Sequence, residues 1–282
     1  MLTSILNSIA RAIKETSVYR FFKTLLSRKI IYQAQKEGVS FWVYEESGYR
    51  YLSFVQPGRE TQTCLDLKKP TRVVFEYQKL MIACLLTRPS PKRICIIGLG
   101  GGSLATALRH LYPEVIIDNV ELNAHVVECA ERFFSFKQDK QMRVHLTDGV
   151  QYLKTLSSDN LYDAIIIDAF DALYIPKEFL TESFVQSVYT QLQPQGIALM
   201  NTFKDSSTYK LETHLYQHVF GQVYQPTFPF SLNGNRVIFV SKSSLPAFKS
   251  IKQRVYQAQH QLRILGLIPD KLLSVIVKLS SY

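Results

Sequence analysis

The sequence has few cysteines and no arrangement of them that would carry chemistry. Its 282 residues include four, Cys64, Cys84, Cys95 and Cys129, with no CxxC pair and mostly inside apolar stretches. Neither a zinc ribbon nor a disulfide framework is expected, and a reducing, cytoplasmic setting fits this usage. His110, His125 and His145 lack metal-ligand spacing, so no metal is expected. Long hydrophobic runs are also missing: none approaches the roughly 18 residues that span a bilayer. The N-terminus lacks a signal peptide's compact apolar block and small-residue cleavage site. No internal repeat or low-complexity segment occurs, and no Ser/His/Asp or Cys/His set has a context that supports nucleophilic catalysis.

What is present is an ordinary globular composition, 46% hydrophobic and 20% charged, with a net charge of +10. The charge is unevenly placed: residues 1–93 carry +9, residues 94–200 carry −6 and residues 201–282 carry +7. An acidic centre between basic flanks argues against a nucleic-acid partner and for a cationic small substrate.

Residues 1–35 read as an amphipathic basic leader, with Leu2, Ile5, Leu6, Ile9 and Ile13 on one helical stripe. Such a helix either lies on an anionic membrane surface as a peripheral contact or docks onto the domain. Residues 36–90 read as a small N-terminal β region, in which "SFWVYEESGYRYLSFV" forms a hairpin turning at Glu46-Ser47-Gly48. Trp42, Tyr44 and Tyr51 are expected to pack that hairpin. From residue 91 to 245, short apolar runs ("ICII", "VIIDNV", "RVHL", "AIIID", "GIALMN") alternate with helix-length segments. This pattern predicts an α/β fold: a doubly wound, mostly parallel sheet covered by helices. "VYQPTF" and "RVIFVS", separated by "SLNGN", predict an antiparallel hairpin at the sheet edge. Residues 246–282 read as a helical tail.

The segment "ICIIGLGGGSLATAL" places Gly98, Gly100, Gly101 and Gly102 directly after the first strand of this pattern. In an open parallel sheet that loop touches the ligand. Glu121 ends the second strand 23 positions after Gly98, where an acid accepts the hydroxyls of a ribose. Together they imply an adenosine-type ligand. Ser103 stands where the third glycine of a GxGxxG dinucleotide motif belongs, so a pyrophosphate is disfavoured; Ser103 is expected to help start the helix. Asp148 follows the third strand, where a carboxylate accepts from an adenine amino group, and Asp168 and Asp171 follow the fourth. A sulfonium nucleoside fits these loops, which all open on one edge of the sheet. Asp168 suits a base that takes a proton from an attacking amine, and Asp171 is either a second anchor or a turn cap. Tyr174 and Pro176 belong to a loop expected to fold over the ligand.

The run "RICIIGLGGGSLATAL … VELN … TDGVQYL … YDAIIIDAFDA … IPKEFLTESF … LQPQGIALMN" resembles the spermidine synthase (polyamine aminopropyltransferase) family, more closely its spermidine-synthase-like branch. The likeness covers roughly residues 40 to 240 and implies a methyltransferase-type Rossmann fold. It implies that Glu121 holds the ribose, Asp148 with Gly149 meets the adenine, and Asp168 handles the amine. The family's loop reads GGGDGG, and Gly101 stands at its aspartate, which helps hold the amine of the donor's aminopropyl group. The family's Tyr-His-Glu-Met is here "YQKLM", with Tyr77 displaced by one residue and Gln78 or Glu76 as partial substitutes for the glutamate. Tyr77, Gln78 and Asp171 are thus the expected contacts to substrate. The resemblance implies an aminopropyl transfer from decarboxylated S-adenosylmethionine to a small amine, without a metal, and a homodimer is a further expectation. Intact S-adenosylmethionine as a methyl donor, and a non-catalytic nucleoside-binding or scaffold protein, are the alternatives.

Overall fold

A computed structural model describes residues 28–58, 60–157, 160–170, 175–226 and 234–279. The leader stripe from Leu2 to Ile13, the anchor Asp171, Tyr174 and most of the "SLNGN" turn lie outside the described residues.

The chain divides into two compact units at Lys68/Lys69. In the first, β1 (Lys29–Lys36), β2 (Val39–Glu46), β3 (Tyr49–Ser53) and β4 (Thr63–Asp66) form an antiparallel sheet in sequence order. Both β1–β2 and β2–β3 turn on two residues with positive φ, Glu37-Gly38 and Ser47-Gly48, the pair that suits the right-handed twist of a two-residue hairpin. The turn sits where the sequence places it. Across β2 and β3, Tyr44 faces Tyr51 and their rings stack with centroids 5.0 Å apart. β1 is a strand through Lys36, whereas the sequence reading carried the helical leader to residue 35. Pairing explains the difference: β1 runs antiparallel along β2 from Lys29–Glu45 to Lys36–Val39, and half-buried and exposed side chains alternate only over Tyr32–Gln35.

The second unit begins with α1 (Glu76–Leu85), which the sequence reading had grouped with the N-terminal β region. There follow β5 (Arg93–Ile97), α2 (Ser103–Leu111), β6 (Ile116–Glu121), α3 (Ala124–Phe133), β7 (Met142–Leu146), α4 (Gly149–Thr155), β8 (Tyr162–Ile167), α5 (Glu182–Thr190), β9 (Leu192–Phe203), α6 (Tyr209–Phe220) and β10 (Asn235–Ser241). The sheet order is β10-β9-β8-β5-β6-β7, parallel except for β10. The continuously apolar strands are buried on both faces, as such runs require: Ile94, Cys95, Ile165 and Leu199 have no exposed surface. β10 pairs antiparallel along β9, from Asn235–Phe203 to Ser241–Ile197. Among the described residues, the expected partner of β10, "VYQPTF", contributes the isolated bridge Tyr224–Phe239 and no strand. β9 is twelve residues long and already presents a free edge of matching length, which the short "VYQPTF" segment does not. The tail is helical as read: α7 (Phe248–Gln257), α8 (Gln259–Ile264) and α9 (Pro269–Leu279), with α9 packed on α1 and α7.

The chain enters this sheet at β5, winds outward through β6 and β7, then returns to β8 on the other side of β5. The order reverses between β5 and β8. In open parallel sheets such a reversal is where a ligand crevice forms, at the carboxyl ends of the two strands.

Candidate active site

Two loops meet at that reversal. Gly98, with φ of +96°, stands so close to the chain after β8 that a Cβ would lie 2.3 Å from the carbonyl oxygen of Asp168. Only glycine fits there. The backbone of Asp168 is in turn tied to β5, its N–H donating to the Ile97 carbonyl at 2.8 Å. Gly102, also with positive φ, seats the N-terminus of α2 against the ring of Phe136. Gly101 is buried and is not among the positive-φ residues of the loop.

Glu121, at the end of β6, accepts from the Leu99 N–H at 3.0 Å through Oε2 and from the Asn123 N–H at 2.9 Å through Oε1. One carboxylate thus fixes both the glycine loop and the chain after β6. Burial raises its pKa against the pull of these backbone donors. Asp148 is the N-cap of α4, with Oδ1 accepting from the Gln151 N–H at 2.9 Å. Among the described residues its Oδ2 has no partner. Gly149 packs on Ile97, whose Cγ2 would lie 2.6 Å from an added Cβ, so α4 starts tight against β5.

Asp168 is held by side chains on both of its oxygens. The Tyr77 hydroxyl, from α1, donates to its Oδ2 at 3.1 Å, and the amide of Asn201, from the end of β9, donates to its Oδ1 at 2.9 Å. Burial pushes its pKa up to about 6, with the Asn201 and Tyr77 donors opposing the rise. Burial and the adjacent Asp168 charge hold the Tyr77 phenol well above its ordinary value, so it remains a donor. Gln78 is buried beside it, its Nε2 reaching the Tyr77 hydroxyl at 3.4 Å and Ser103 Oγ at 3.2 Å. α1 thereby touches both Asp168 and the first residue of α2, directly after the glycine loop. Glu76 does not join them, since it is exposed and paired with Lys79 at 2.5 Å. Nor is Ser103 the helix cap: Gly102 occupies the cap and Ser103 turns to Gln78.

The structure brings Tyr77, Gln78, Gly98, Ser103 and Asp168 into one connected cluster, joined through the glycine loop to Glu121; Asp148 stands at the end of the outer strand β7, and Asp171 lies outside the described residues. Asn201 and Asn235, the latter donating to Asn201 Oδ1 at 3.1 Å, are site neighbours that the sequence reading passed over. The available signal was position: Asn201 follows the apolar run Ile197–Met200 at the carboxyl end of β9, level with the acid that follows the neighbouring strand β8. The histidines went elsewhere, His145 to the buried Asp118 at 2.9 Å and His125 to Glu128 at 2.9 Å. Among the described residues no group of three or more His, Cys, Asp or Glu could hold a metal, and no helix is long and apolar enough to cross a membrane.

Residues 74–233 match the family model of the spermine/spermidine synthase domain. A polyamine aminopropyltransferase of Vibrio vulnificus is 39% identical over 216 residues, covering 75% of this chain and 72% of that one. A probable spermidine synthase from Corynebacterium glutamicum superposes with a TM-score of 0.67 at 19% identity over 83% of this chain and 87% of that one, a likeness of fold. Human methyltransferase-like protein 13, solved in complex with SAH, superposes with a TM-score of 0.58 at 27% identity over 69% and 94%.

Proposed function

The chain belongs to the spermine/spermidine synthase family, and from that premise we propose that it transfers an aminopropyl group from decarboxylated S-adenosylmethionine to a small amine, with Asp168 as the general base. The observation that carries the reading is Asp168 itself: a half-buried carboxylate at the reversal point of the sheet, beside the glycine loop, with one donor on each oxygen. The residues that frame the crevice suit an adenosyl sulfonium. Backbone groups of the glycine loop approach without side chains, Glu121 is the acid for the ribose diol, and Asp148 keeps one oxygen for the adenine amino group.

An alkyl amine with a pKa near 10 is mostly protonated at neutral pH and must lose a proton before it attacks. Asp168 first binds the ammonium, then accepts its proton. The amine nitrogen forms a bond to the propyl carbon, the carbon–sulfur bond breaks, and its electron pair stays on sulfur as a neutral thioether. The product nitrogen keeps its two protons as a secondary ammonium, and the proton on Asp168 leaves to solvent, which restores the base. Most of the acceleration comes from alignment, because a sulfonium is already a good leaving group.

A second reading is methyl transfer from intact S-adenosylmethionine. Gly101, which offers no carboxylate to an aminopropyl ammonium, and the likeness to a methyltransferase solved with SAH favour it. Calorimetry with both donors and with methylthioadenosine, followed by mass analysis of products from a panel of diamines, separates the readings. Aminopropylated product is the expected result; methylated product supports the second reading. No binding of any of the three at millimolar concentration ends both.

A further inference from the structure

Asp168 is held from β9 by an amide whose own orientation is fixed from β10. Asn235 Nδ2 donates to Asn201 Oδ1 at 3.1 Å, and Asn201 Nδ2 donates to Asp168 Oδ1 at 2.9 Å. The polarity of this chain is determined by its end. Asp168, when ionised, only accepts, so Asn201 must present its NH2 there and its carbonyl to Asn235; a flipped Asn201 would set oxygen against oxygen and NH2 against NH2. The backbone supports the same alignment. In the parallel register Ile167 faces Met200, so Asp168 and Asn201 are the next residues on neighbouring strands, while Val237 faces Asn201 and places Asn235 diagonally across. Asn201 is buried, with 3% of its surface exposed, so water does not compete for its amide.

We infer that Asn201, oriented by Asn235, is a positioning residue that holds the Asp168 carboxylate in the rotamer that meets the amine. The inference rests on the reading of Asp168 as the base. A neutral N–H donor binds a carboxylate better than a carboxylic acid, so the same contact favours the charged form that can take a proton. This matters because burial works the other way on Asp168. Among the described residues, the groups that face Asp168 are few. α1 presents the Tyr77 phenol, β9 presents the neutral Asn201, and the loop after β5 presents backbone alone. No charged side chain substitutes for the amide if it is removed.

The test uses N201L, which fills nearly the same space without a donor, and N235A, which leaves Asn201 in place but unoriented. The carboxyl-carbon resonance of Asp168, assigned by its loss in D168N, is titrated by NMR alongside the pH dependence of kcat/KM. In N201L the Asp168 titration and the acid limb of the rate profile should move up by about one pH unit or more, the equivalent of one hydrogen bond to a charged group. N235A should move both in the same direction by less, lowering kcat with the KM for donor unchanged. Folded N201L and N235A that both titrate like the wild type overturn the inference; should N201L not fold, N235A alone decides it. If the wild type turns over no donor, the transferase reading fails, while the NMR titration still decides this one.

Discussion

The Tyr77 hydroxyl donates to Asp168 Oδ2 across 3.1 Å, joining the first helix of the unit to the end of its fourth strand over 91 positions of sequence. The contact couples placement of α1 to the charge of the base. Tyr77→Phe keeps the ring, which stacks on Phe75 with centroids 5.7 Å apart, and removes only the donor. Loss of one hydrogen bond to a charged group, about 1.5–3 kcal/mol, should lower kcat/KM about tenfold to a hundredfold with little change in melting temperature. Wild-type kinetics in a folded Tyr77→Phe would remove Tyr77 from the site.

The pH dependence of the wild type follows from the same carboxylate. Its pKa, raised by burial to about 6, means that the base form is lost as pH falls through about 6, and activity should fall with it. Stability runs in the opposite sense. Between the ordinary value of 3.8 and about 6 the unfolded chain gives up this proton before the folded one does, so this group's contribution to stability declines as pH rises through that window. A rate profile flat from pH 5 to 8 would contradict the assignment of Asp168.

Gly98 tests the meeting of the two loops. An alanine there carries two costs, a positive φ and a Cβ 2.3 Å from the Asp168 carbonyl oxygen, and neither neighbour is a flexible side-chain end. Gly98→Ala should destabilise the protein by roughly 1–3 kcal/mol or more and displace Asp168, so melting temperature and kcat should drop together. An alanine variant as stable and active as the wild type would show that the loops are not locked here.

Much of this arrangement was legible in sequence because the parallel sheet imposes a strong pattern. Ile94–Ile97 and Ala164–Ile167 are buried on both faces and therefore read as unbroken apolar runs, and the acids that follow such runs fall at one edge by topology alone. Pairing at the antiparallel edge was less visible. β10 could be recognised as a strand, but its partner was decided by the length of β9, a tertiary fact with no local signature. Asn201 and Asn235 were missed for a related reason: a polar residue at a strand end looks like a boundary until the neighbouring strand supplies its partner. Glu76 and Gln78, two residues apart, were equal candidates in the sequence; the helix turns one to solvent and the other into the interior.

Glu121 offers a cleaner test of ligand binding than of fold. Glu121→Gln keeps size but removes charge, and the adenosyl ligand should bind more weakly by about 1.5–3 kcal/mol. The amide also brings an NH2 against the Leu99 or Asn123 N–H, both of which now donate to the carboxylate, so some loosening of the glycine loop accompanies the loss. Glu121→Asp, which retains charge but shortens the reach, separates the two effects: it should recover loop order only in part. Unchanged calorimetric affinity in a folded Glu121→Gln would exclude the acid from the ribose site.

The choice of donor turns on Gly101. If the crevice binds the donor as the family does, Gly101→Asp sets a carboxylate where the aminopropyl ammonium lies and sets like charge near the carboxylate of intact S-adenosylmethionine. A charge pair in a partly screened cleft contributes on the order of 1–3 kcal/mol, so the ratio of the two affinities should move about tenfold or more toward the decarboxylated donor. The backbone does not forbid the change. Gly98, Gly100 and Gly102 take the positive φ angles of the loop, whereas Gly101 is not among them, so strain at φ is not a reason for this variant to fail. Burial is the remaining obstacle, since Gly101 is covered and a new carboxylate needs a partner. Melting curves with and without the decarboxylated donor distinguish the outcomes: a variant that is destabilised alone and rescued by that donor places the new charge on the ammonium. A stable variant whose donor preference does not move would show that Gly101 does not face the donor's amine, and the case for intact S-adenosylmethionine would lose its structural basis.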